Sequence, residues 1–123
     1  MQKKYAATDF FLALMKGSDW LKEKAKKIYE KEQSIYISPF TVVEIIIICI
    51  REKIPVKETL FQISRIAELE LIEWEIFFEC SNHIEKGATL FDSLLMAVCK
   101  DNYIISSDKI YEKFGYKIIN LNA

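Results

Sequence analysis

The sequence predicts an α/β domain in which a short, mostly parallel sheet of four to five strands is covered by helices on both faces. Short apolar runs of the β type alternate along the chain with longer segments of helical periodicity. This alternation requires crossover connections, which make neighbouring strands parallel. The 123 residues include only 3 glycines and 2 prolines, too few turn formers for an all-β sandwich.

The composition limits the domain count and the chemistry. A chain of 123 residues holds one domain, so we assign residues 1–123 to a single one. Hydrophobic residues make up 51% and charged residues 28%, which excludes a disordered chain. The single histidine, His83, leaves little scope for histidine catalysis or a multi-histidine zinc site, and we expect it at the surface or half-buried. Any chemistry is therefore expected from carboxylates.

The cysteines and the apolar runs predict a cytoplasmic protein that does not enter a membrane. Cys49, Cys80 and Cys99 are odd in number, lack a C-x-x-C spacing and lie in apolar segments. We therefore expect three buried free thiols in a reducing compartment. The most apolar run, over residues 42–50, contains a glutamate and is far shorter than the ~20 residues of a membrane span.

Periodicity and capping residues give the elements of the first half of the chain. Leu21, Ala25 and Ile28 are spaced at i, i+4 and i+7, which is typical of one helix face. The predicted elements are a strand over 3–7, a helical turn over 8–16, a break at Gly17, a helix from a Ser18 cap to about Glu32, a strand over 35–37 and a helix from Ser38-Pro39 to about Lys53. The isoleucine-rich run in the last of these also fits a buried strand.

The second half is predicted in the same way. Pro55 suits the first position of a helix. That helix starts at Pro55 and carries Leu60, Ile63, Ile66 and Ala67 on its apolar face. A helix over 75–86 is expected to bury Phe77, Cys80, Ser81 and Ile84. The other elements are a strand over 69–72, a helix over 89–101, a strand over 103–106, a short helix over 108–114 ended by Gly115 and a strand over 117–121.

Four acidic residues are expected to meet at one edge of this sheet. Ligands of parallel α/β sheets bind beyond the carboxyl ends of the strands, where helices begin. Asp9, Glu44, Asp92 and Asp108 all fall there, among apolar neighbours. Clustered carboxylates repel one another unless a cation neutralises them, and oxygen ligands suit Mg²⁺ or Mn²⁺. Such an ion can activate water and stabilise the charge on a phosphodiester.

Each acid taken singly also fits a structural role. Thr41-x-x-Glu44 and Thr89-x-x-Asp92 match helix N-terminal capping patterns, and Asp108 suits the first turn of a helix. The two roles are compatible, because helix N-termini are also where functional carboxylates lie in such folds. Only the joint placement of the four at one sheet edge favours a ligand site over caps.

Residues 38–44, 91–98 and 103–111 carry short motifs that resemble those of the PIN domain family, which includes the VapC-type toxin nucleases. Residues 91–98, Phe-Asp-Ser-Leu-Leu-Met-Ala-Val, match the family's Asp-Ala-hydrophobic helix opening. Residues 103–111 match its hydrophobic strand followed by Thr/Ser-x-Asp and an aromatic residue. Residues 38–44, Ser-Pro-Phe-Thr-Val-Val-Glu, match its Ser-x-x-x-x-x-Glu helix. The order and spacing of these motifs agree along the length of the chain.

The resemblance implies a ribonuclease that depends on Mg²⁺ or Mn²⁺ and hydrolyses an RNA phosphodiester with a water molecule that the ion activates. The family further implies a homodimer and, in toxin systems, a small antitoxin that blocks the site. Ser106 would support the site by hydrogen bonding, and Thr8 would line it. The metal ligands would be Asp9, Glu44, Asp92 and Asp108.

The chain departs from the family pattern at its first motif. When the chain is aligned with the family pattern on Thr8, Ala7 stands where the family usually has its first acidic ligand. Asp9 stands two residues later, where the family has Asn or Ser. A second acid expected two residues after Asp108 is also absent, with Ile110 in its place. The alternative is therefore a catalytically impaired PIN-fold module that binds RNA or protein. Phospho-receiver and haloacid dehalogenase-like domains are more distant alternatives, because the chain lacks Asp-x-Asp after its first strand and a lysine at a strand end.

Charge is unevenly distributed. Residues 1–31 carry eight lysines and four acids, a net charge of +4, whereas residues 68–85 carry six glutamates and no lysine or arginine. The lysines from Lys22 to Lys31 are either a solvated helix face or a surface that guides an RNA backbone. The net charge of −1 for the whole chain conceals this asymmetry.

Overall fold

The computed structural model describes residues 2–15, 20–32 and 34–122, and within them five strands form one sheet. The strand order is β3-β2-β1-β4-β5, and every neighbouring pair is parallel, which confirms the predicted parallel α/β architecture. The strands are β1 (Lys4–Ala6), β2 (Ile35–Ile37), β3 (Glu68–Leu69), β4 (Tyr103–Ser106) and β5 (Lys117–Asn120).

Seven helices connect the strands over the described residues. They are α1 (Thr8–Met15), α2 (Lys22–Glu32), α3 (Pro39–Glu52), α4 (Val56–Ser64), α5 (Trp74–Glu85), α6 (Leu90–Cys99) and α7 (Ile110–Lys113). The predicted break at Gly17 and cap at Ser18, together with Lys16, lie outside the described residues. Gly115 follows α7 with φ +88°, a left-handed conformation that glycine adopts without steric cost.

The sheet separates two apolar cores, because successive residues of a strand point to opposite faces. Ala6 and Ile105 face a core formed with α1 to α4, whereas Tyr5 and Ile104 face a second core formed with α5 to α7. Helix α6 lies deepest, since every residue from Ser93 to Cys99 is buried. The predicted covering of both faces of the sheet by helices is confirmed. Packing on the sheet holds the N-termini of these helices at its carboxyl edge, where the strands end.

Helix α3 resolves the ambiguity of the isoleucine-rich run. The run is helical, and Ile45 and Cys49, four residues apart, point into the core. Its N-cap is Ser38, whose Oγ accepts a hydrogen bond from the amide of Phe40 at 3.1 Å. The expected Thr41 cap is wrong, because Pro39 occupies the first turn and places the buried Thr41 inside the helix.

Helix α5 buries a different face from the one predicted. Ile76, Cys80 and His83 are buried, whereas Phe77 and Ile84 remain exposed. The observed and the predicted buried faces both have helical spacing and share Cys80, so periodicity alone does not distinguish them. Packing against α6 buries the face that carries Ile76 and His83. The expectation that His83 lies at or near the surface is therefore wrong.

Packing explains why His83 is buried. Its Nε2 lies 2.7 Å from the hydroxyl of Tyr116, and its ring makes edge contacts with Phe114 and Tyr116. Burial, and then the charge of Glu79, raise the pKa of Tyr116 to about 12, so its hydroxyl stays protonated at neutral pH. His83 thus joins α5 to the segment before β5.

The remaining differences are small. Pro55 precedes α4 as its N-cap residue instead of taking the first helical position, and β3 is shorter and begins one residue earlier than expected. All three cysteines are free and buried, as predicted. Among the described residues, no helix has the length and apolar character needed to span a membrane.

Candidate active site

A cleft of about 400 Å³ opens at the carboxyl edge of the sheet, where β1 and β4 end. The structure brings all four predicted acids to this one cleft. They arrive from different elements: Asp9 from the first turn of α1, Glu44 from the second turn of α3, Asp92 from the first turn of α6, and Asp108 from the loop after β4. The lining residues are Ala7, Thr8, Asp9, Leu12, Glu44, Asp92, Ser106, Ser107, Asp108 and Tyr111.

Asp9 is the most firmly held of the four. Its Oδ2 accepts hydrogen bonds from the amide of Ser107 at 2.8 Å, from the Ser107 hydroxyl at 2.6 Å and from the Ser106 hydroxyl at 3.2 Å. Its Oδ1 is buried and has no hydrogen-bond partner among the described residues. Asp9 therefore presents one oxygen that the protein satisfies and one that it leaves available to a cation or to water.

Glu44 is held by the neighbouring helix. The hydroxyl of Thr8, at the start of α1, donates a hydrogen bond to Oε1 of Glu44. Glu44 lies on the second turn of α3, and the Ser38 cap fixes where that helix begins. The contact therefore joins the N-terminal ends of α1 and α3.

Asp92 is held by a buried phenol. The hydroxyl of Tyr111 donates a hydrogen bond to Oδ1 of Asp92 at 2.9 Å. Burial, followed by the charge of Asp92, raises the pKa of Tyr111 above its usual range, so the phenol keeps its proton and remains a donor. Thr89 caps α6 through an Oγ contact of 3.4 Å with the amide of Asp92, so the predicted cap is present beside the cleft.

Asp108 combines a structural contact with a place in the cleft. Its Oδ1 accepts a hydrogen bond from the amide of Ile110 at 3.0 Å, and its own amide donates to Oγ of Ser106 at 3.0 Å. Ser106 therefore contacts both Asp9 and Asp108. Its hydroxyl has the position expected of a group that supports the site by hydrogen bonding.

Ala7 lies at the end of β1, where the family pattern has an acid. It is 5% exposed, lines the cleft and donates its amide to the carbonyl of Ile105 at 3.0 Å. A carboxylate at this position would reach the same cleft as the four acids. The sequence alignment on Thr8 is consistent with this placement.

The cleft offers carboxylate oxygens, which are the ligand type that Mg²⁺ and Mn²⁺ prefer. Within the described residues, no three His, Cys, Asp or Glu side chains lie close enough together to enclose a metal ion. Mg²⁺ commonly needs only one or two carboxylates and keeps several waters. The carboxylate oxygens of the cleft, including the buried Oδ1 of Asp9 with no hydrogen-bond partner among the described residues, are compatible with that hydrated mode of binding.

Sequence reasoning missed three residues of the cleft. Ser107 and Tyr111 each hold one of the carboxylates, and Leu12 forms part of the wall. The available signal was proximity in sequence, because Ser107 directly precedes Asp108 in the loop after β4 and Tyr111 follows three residues later in α7. Their partners, Asp9 and Asp92, are distant in sequence and follow only from the folded topology.

A cleft lined by acidic residues at the carboxyl ends of parallel strands defines an α/β domain with a candidate ligand site at that edge, and sequence comparison places the chain within one family. The model of the PIN domain family matches residues 7–115. The chain belongs to the PIN domain family. A comparison with curated proteins finds no significant match.

Solved structures share this fold at low sequence identity. VapC20 from Mycobacterium tuberculosis, a toxin that cleaves the sarcin–ricin loop, superposes with a TM-score of 0.75 at 14% identity, covering 93% of this chain and 96% of that one. A toxin–antitoxin complex from Klebsiella pneumoniae gives 0.77 at 15% identity, covering 97% and 98%. VapBC2 from Rickettsia felis, bound to a promoter DNA fragment, gives 0.65 at 12% identity, covering 95% and 97%.

Proposed function

We propose that the protein is an endoribonuclease that depends on Mg²⁺ or Mn²⁺ and acts as the toxin of a toxin–antitoxin pair. One observation carries the proposal: four carboxylates from four separate segments line a single cleft in a chain of the PIN domain family. The fold shared with VapC20 and with two toxin–antitoxin complexes supports the toxin assignment.

The proposed ligands of the ion are Asp9, Glu44, Asp92 and Asp108, of which one or two would bind it directly and the others through its water molecules. When bound, the ion would supply activation of a water molecule and neutralisation of the phosphodiester charge. The chain's own residues orient the carboxylates through hydroxyl donors, namely Thr8 for Glu44 and Ser106 for Asp9. Because these donors already occupy one carboxylate oxygen, the ligands lose little side-chain freedom when the ion binds.

The lysine-rich surface of α2 is the proposed path of the RNA backbone. Lys26, Lys27 and Lys31 are exposed on α2, and this helix packs against α1, which carries Asp9. Phosphate contacts of this kind add affinity without sequence selectivity. The exposed lysines would draw RNA toward an otherwise acidic cleft.

A second copy of the chain is a further proposed partner. Val43, Ile47 and Ile50 are exposed at intervals of four and three residues on α3, a spacing that helices use to pack against one another. Phe40 continues this row and contacts Phe77 of α5 at 5.6 Å between ring centroids. The row therefore runs from one helix to the other.

The apolar face continues from α3 onto α5. Trp74 and Phe78 extend it on α5, and both are largely exposed. Together with Phe77 and the α3 row, they form an exposed apolar face of the kind that marks a protein–protein interface. A homodimer through α3 and α5 would cover this face.

A small antitoxin that blocks the cleft and a cytoplasmic location complete the proposal. The antitoxin is supported by the complexes with which the fold is shared. The cytoplasmic location is supported by the three free, buried cysteines, because a reducing compartment keeps such thiols unpaired.

A catalytically impaired binding module is the alternative function, and Ala7 is the observation that favours it. The family pattern has an acidic ligand at the position of Ala7, so the cleft lacks a carboxylate that the family usually places there. A module of this kind would bind RNA or protein at the same surface and leave the RNA intact.

Incubation with labelled RNA distinguishes the two functions. We expect fragments in the presence of Mn²⁺, none in the presence of a chelator, and none from Asp92→Asn with Mn²⁺. The matched control is Asp101→Asn, which removes an exposed carboxylate outside the cleft and should cleave like the wild type. RNA that is retained but intact in every sample would favour the binding module, and equal cleavage by Asp92→Asn would contradict the ribonuclease proposal.

A further inference from the structure

The segment Ser106–Tyr111 contacts acidic residues on both sides of the cleft. Ser107 donates its amide and hydroxyl to Asp9 on α1, at 2.8 and 2.6 Å. Four residues later, Tyr111 donates its hydroxyl to Asp92 on α6, at 2.9 Å. One short stretch of chain thus holds two carboxylates that belong to separate helices.

The two donors are themselves firmly anchored. Tyr111 is 4% exposed and belongs to the apolar core beneath α6, so its hydroxyl has a fixed position. Ser107 directly follows β4, whose register with β1 and β5 fixes the backbone amide. Because the core and the sheet hold the two donors in place, their hydrogen bonds restrict the movement of the Asp9 and Asp92 side chains.

Each donor occupies one oxygen of its carboxylate. Ser107 binds Oδ2 of Asp9 and leaves Oδ1 without a partner among the described residues. Tyr111 binds Oδ1 of Asp92. A carboxylate held through one oxygen keeps its side-chain torsions fixed while its second oxygen stays free for a ligand.

We propose that Ser107 and Tyr111 are positioning residues that set the placement of Asp9 and Asp92 for cation binding. This inference rests on the proposed function, because it concerns the carboxylates that would hold the ion. Neither donor touches the RNA or the ion in this account; both act through the acids that they hold. The hydroxyl of Tyr111 holds Asp92, and the hydroxyl of Ser107 holds Asp9 together with the Ser107 amide and the Ser106 hydroxyl.

Mn²⁺ affinity, measured by calorimetry, tests the inference with Tyr111→Phe and Ser107→Ala. Tyr111→Phe keeps the buried ring, and Ser107→Ala keeps the amide donor, so both variants should fold. We expect each to bind Mn²⁺ about 10-fold more weakly than the wild type. Tyr103→Phe and Ser64→Ala, which remove hydroxyls outside the cleft, should bind like the wild type. Equal affinity in all four variants would overturn the inference.

A metal-free NMR measurement separates this inference from the proposed function. The ¹³C signal of the Asp92 carboxyl should shift in Tyr111→Phe and stay in place in Tyr103→Phe, because only the first loses a donor to that carboxylate. If the wild type binds no Mn²⁺, the metal-dependent function fails, and the carboxyl signal alone decides whether Tyr111 positions Asp92. An unchanged Asp92 signal in Tyr111→Phe would overturn the inference whatever the metal affinity.

Discussion

Replacing Asp9 with asparagine should destabilise the protein in the absence of any metal. The carboxylate accepts three hydrogen bonds on one oxygen, from Ser106 and Ser107, at 2.6 to 3.2 Å. A hydrogen bond to a charged acceptor contributes about 1.5–3 kcal/mol, roughly twice as much as a bond to a neutral one. Asparagine retains an acceptor oxygen and loses the charge.

The expected cost of Asp9→Asn follows from these bonds. Losing about half of each contribution over three bonds gives ~3 kcal/mol, which relief of repulsion from the nearby carboxylates reduces to about 2 kcal/mol. For a chain of 123 residues, 1 kcal/mol corresponds to about 4 °C in Tm. We therefore expect Tm to fall by about 8 °C.

Thermal unfolding followed by circular dichroism, with a chelator present, measures this change. Asp101→Asn is the control, because its carboxylate is exposed and its removal should alter stability by less than about 0.5 kcal/mol. A Tm for Asp9→Asn at or above that of Asp101→Asn would refute the reasoning. Asp9 would then be an unsupported acid whose main effect without metal is repulsion.

Three further predictions concern the cleft, the buried phenol and the dimer face. Ala7→Asp should bind Mn²⁺ at least about 10-fold more tightly by calorimetry, whereas Ala7→Asn should not; equal affinities would contradict the alignment on Thr8. Since the pKa of Tyr116 is about 12 in the folded protein and 10.0 in its reference state, stability should be complete below pH 10 and decline as pH rises through 12. The free energy of unfolding, measured by urea titration at each pH, should decline by about 1 kcal/mol less in Tyr116→Phe than in the wild type. Identical pH profiles for the two proteins would refute this. Ile47→Glu should sediment as a monomer, and Trp20→Glu, which changes an exposed residue outside α3 and α5, should sediment as a dimer.

Features of the fold that depend on local pattern could be predicted from the sequence. The apolar runs of β2 and β4 were each bounded by polar or turn-forming residues, so the strand limits match the predicted ones. The alternation of strands and helices fixed the parallel topology and hence the edge at which helices begin. Because Asp9 and Asp92 lie at the starts of helices at that edge, the sequence predicts that they share one cleft.

Features that depend on contacts between distant elements could not be predicted. The choice between the two apolar faces of α5, and with it the burial of His83, depends on packing against α6 and Tyr116. Likewise, the hydroxyls of Ser107 and Tyr111 find their carboxylates only once β4 lies beside β1 and α6. A single sequence contains no local signal for such pairs.

The most direct test of the central claim is the rate of RNA cleavage, with Mn²⁺, by single amide variants of the four acids. We expect Asp9→Asn, Glu44→Gln, Asp92→Asn and Asp108→Asn each to cleave RNA about 100-fold or more slowly than the wild type, because all four acids serve one cation-dependent site. Asp101→Asn should retain the wild-type rate. Cleavage that persists at the wild-type rate in Asp92→Asn, or in all four variants, would contradict the account.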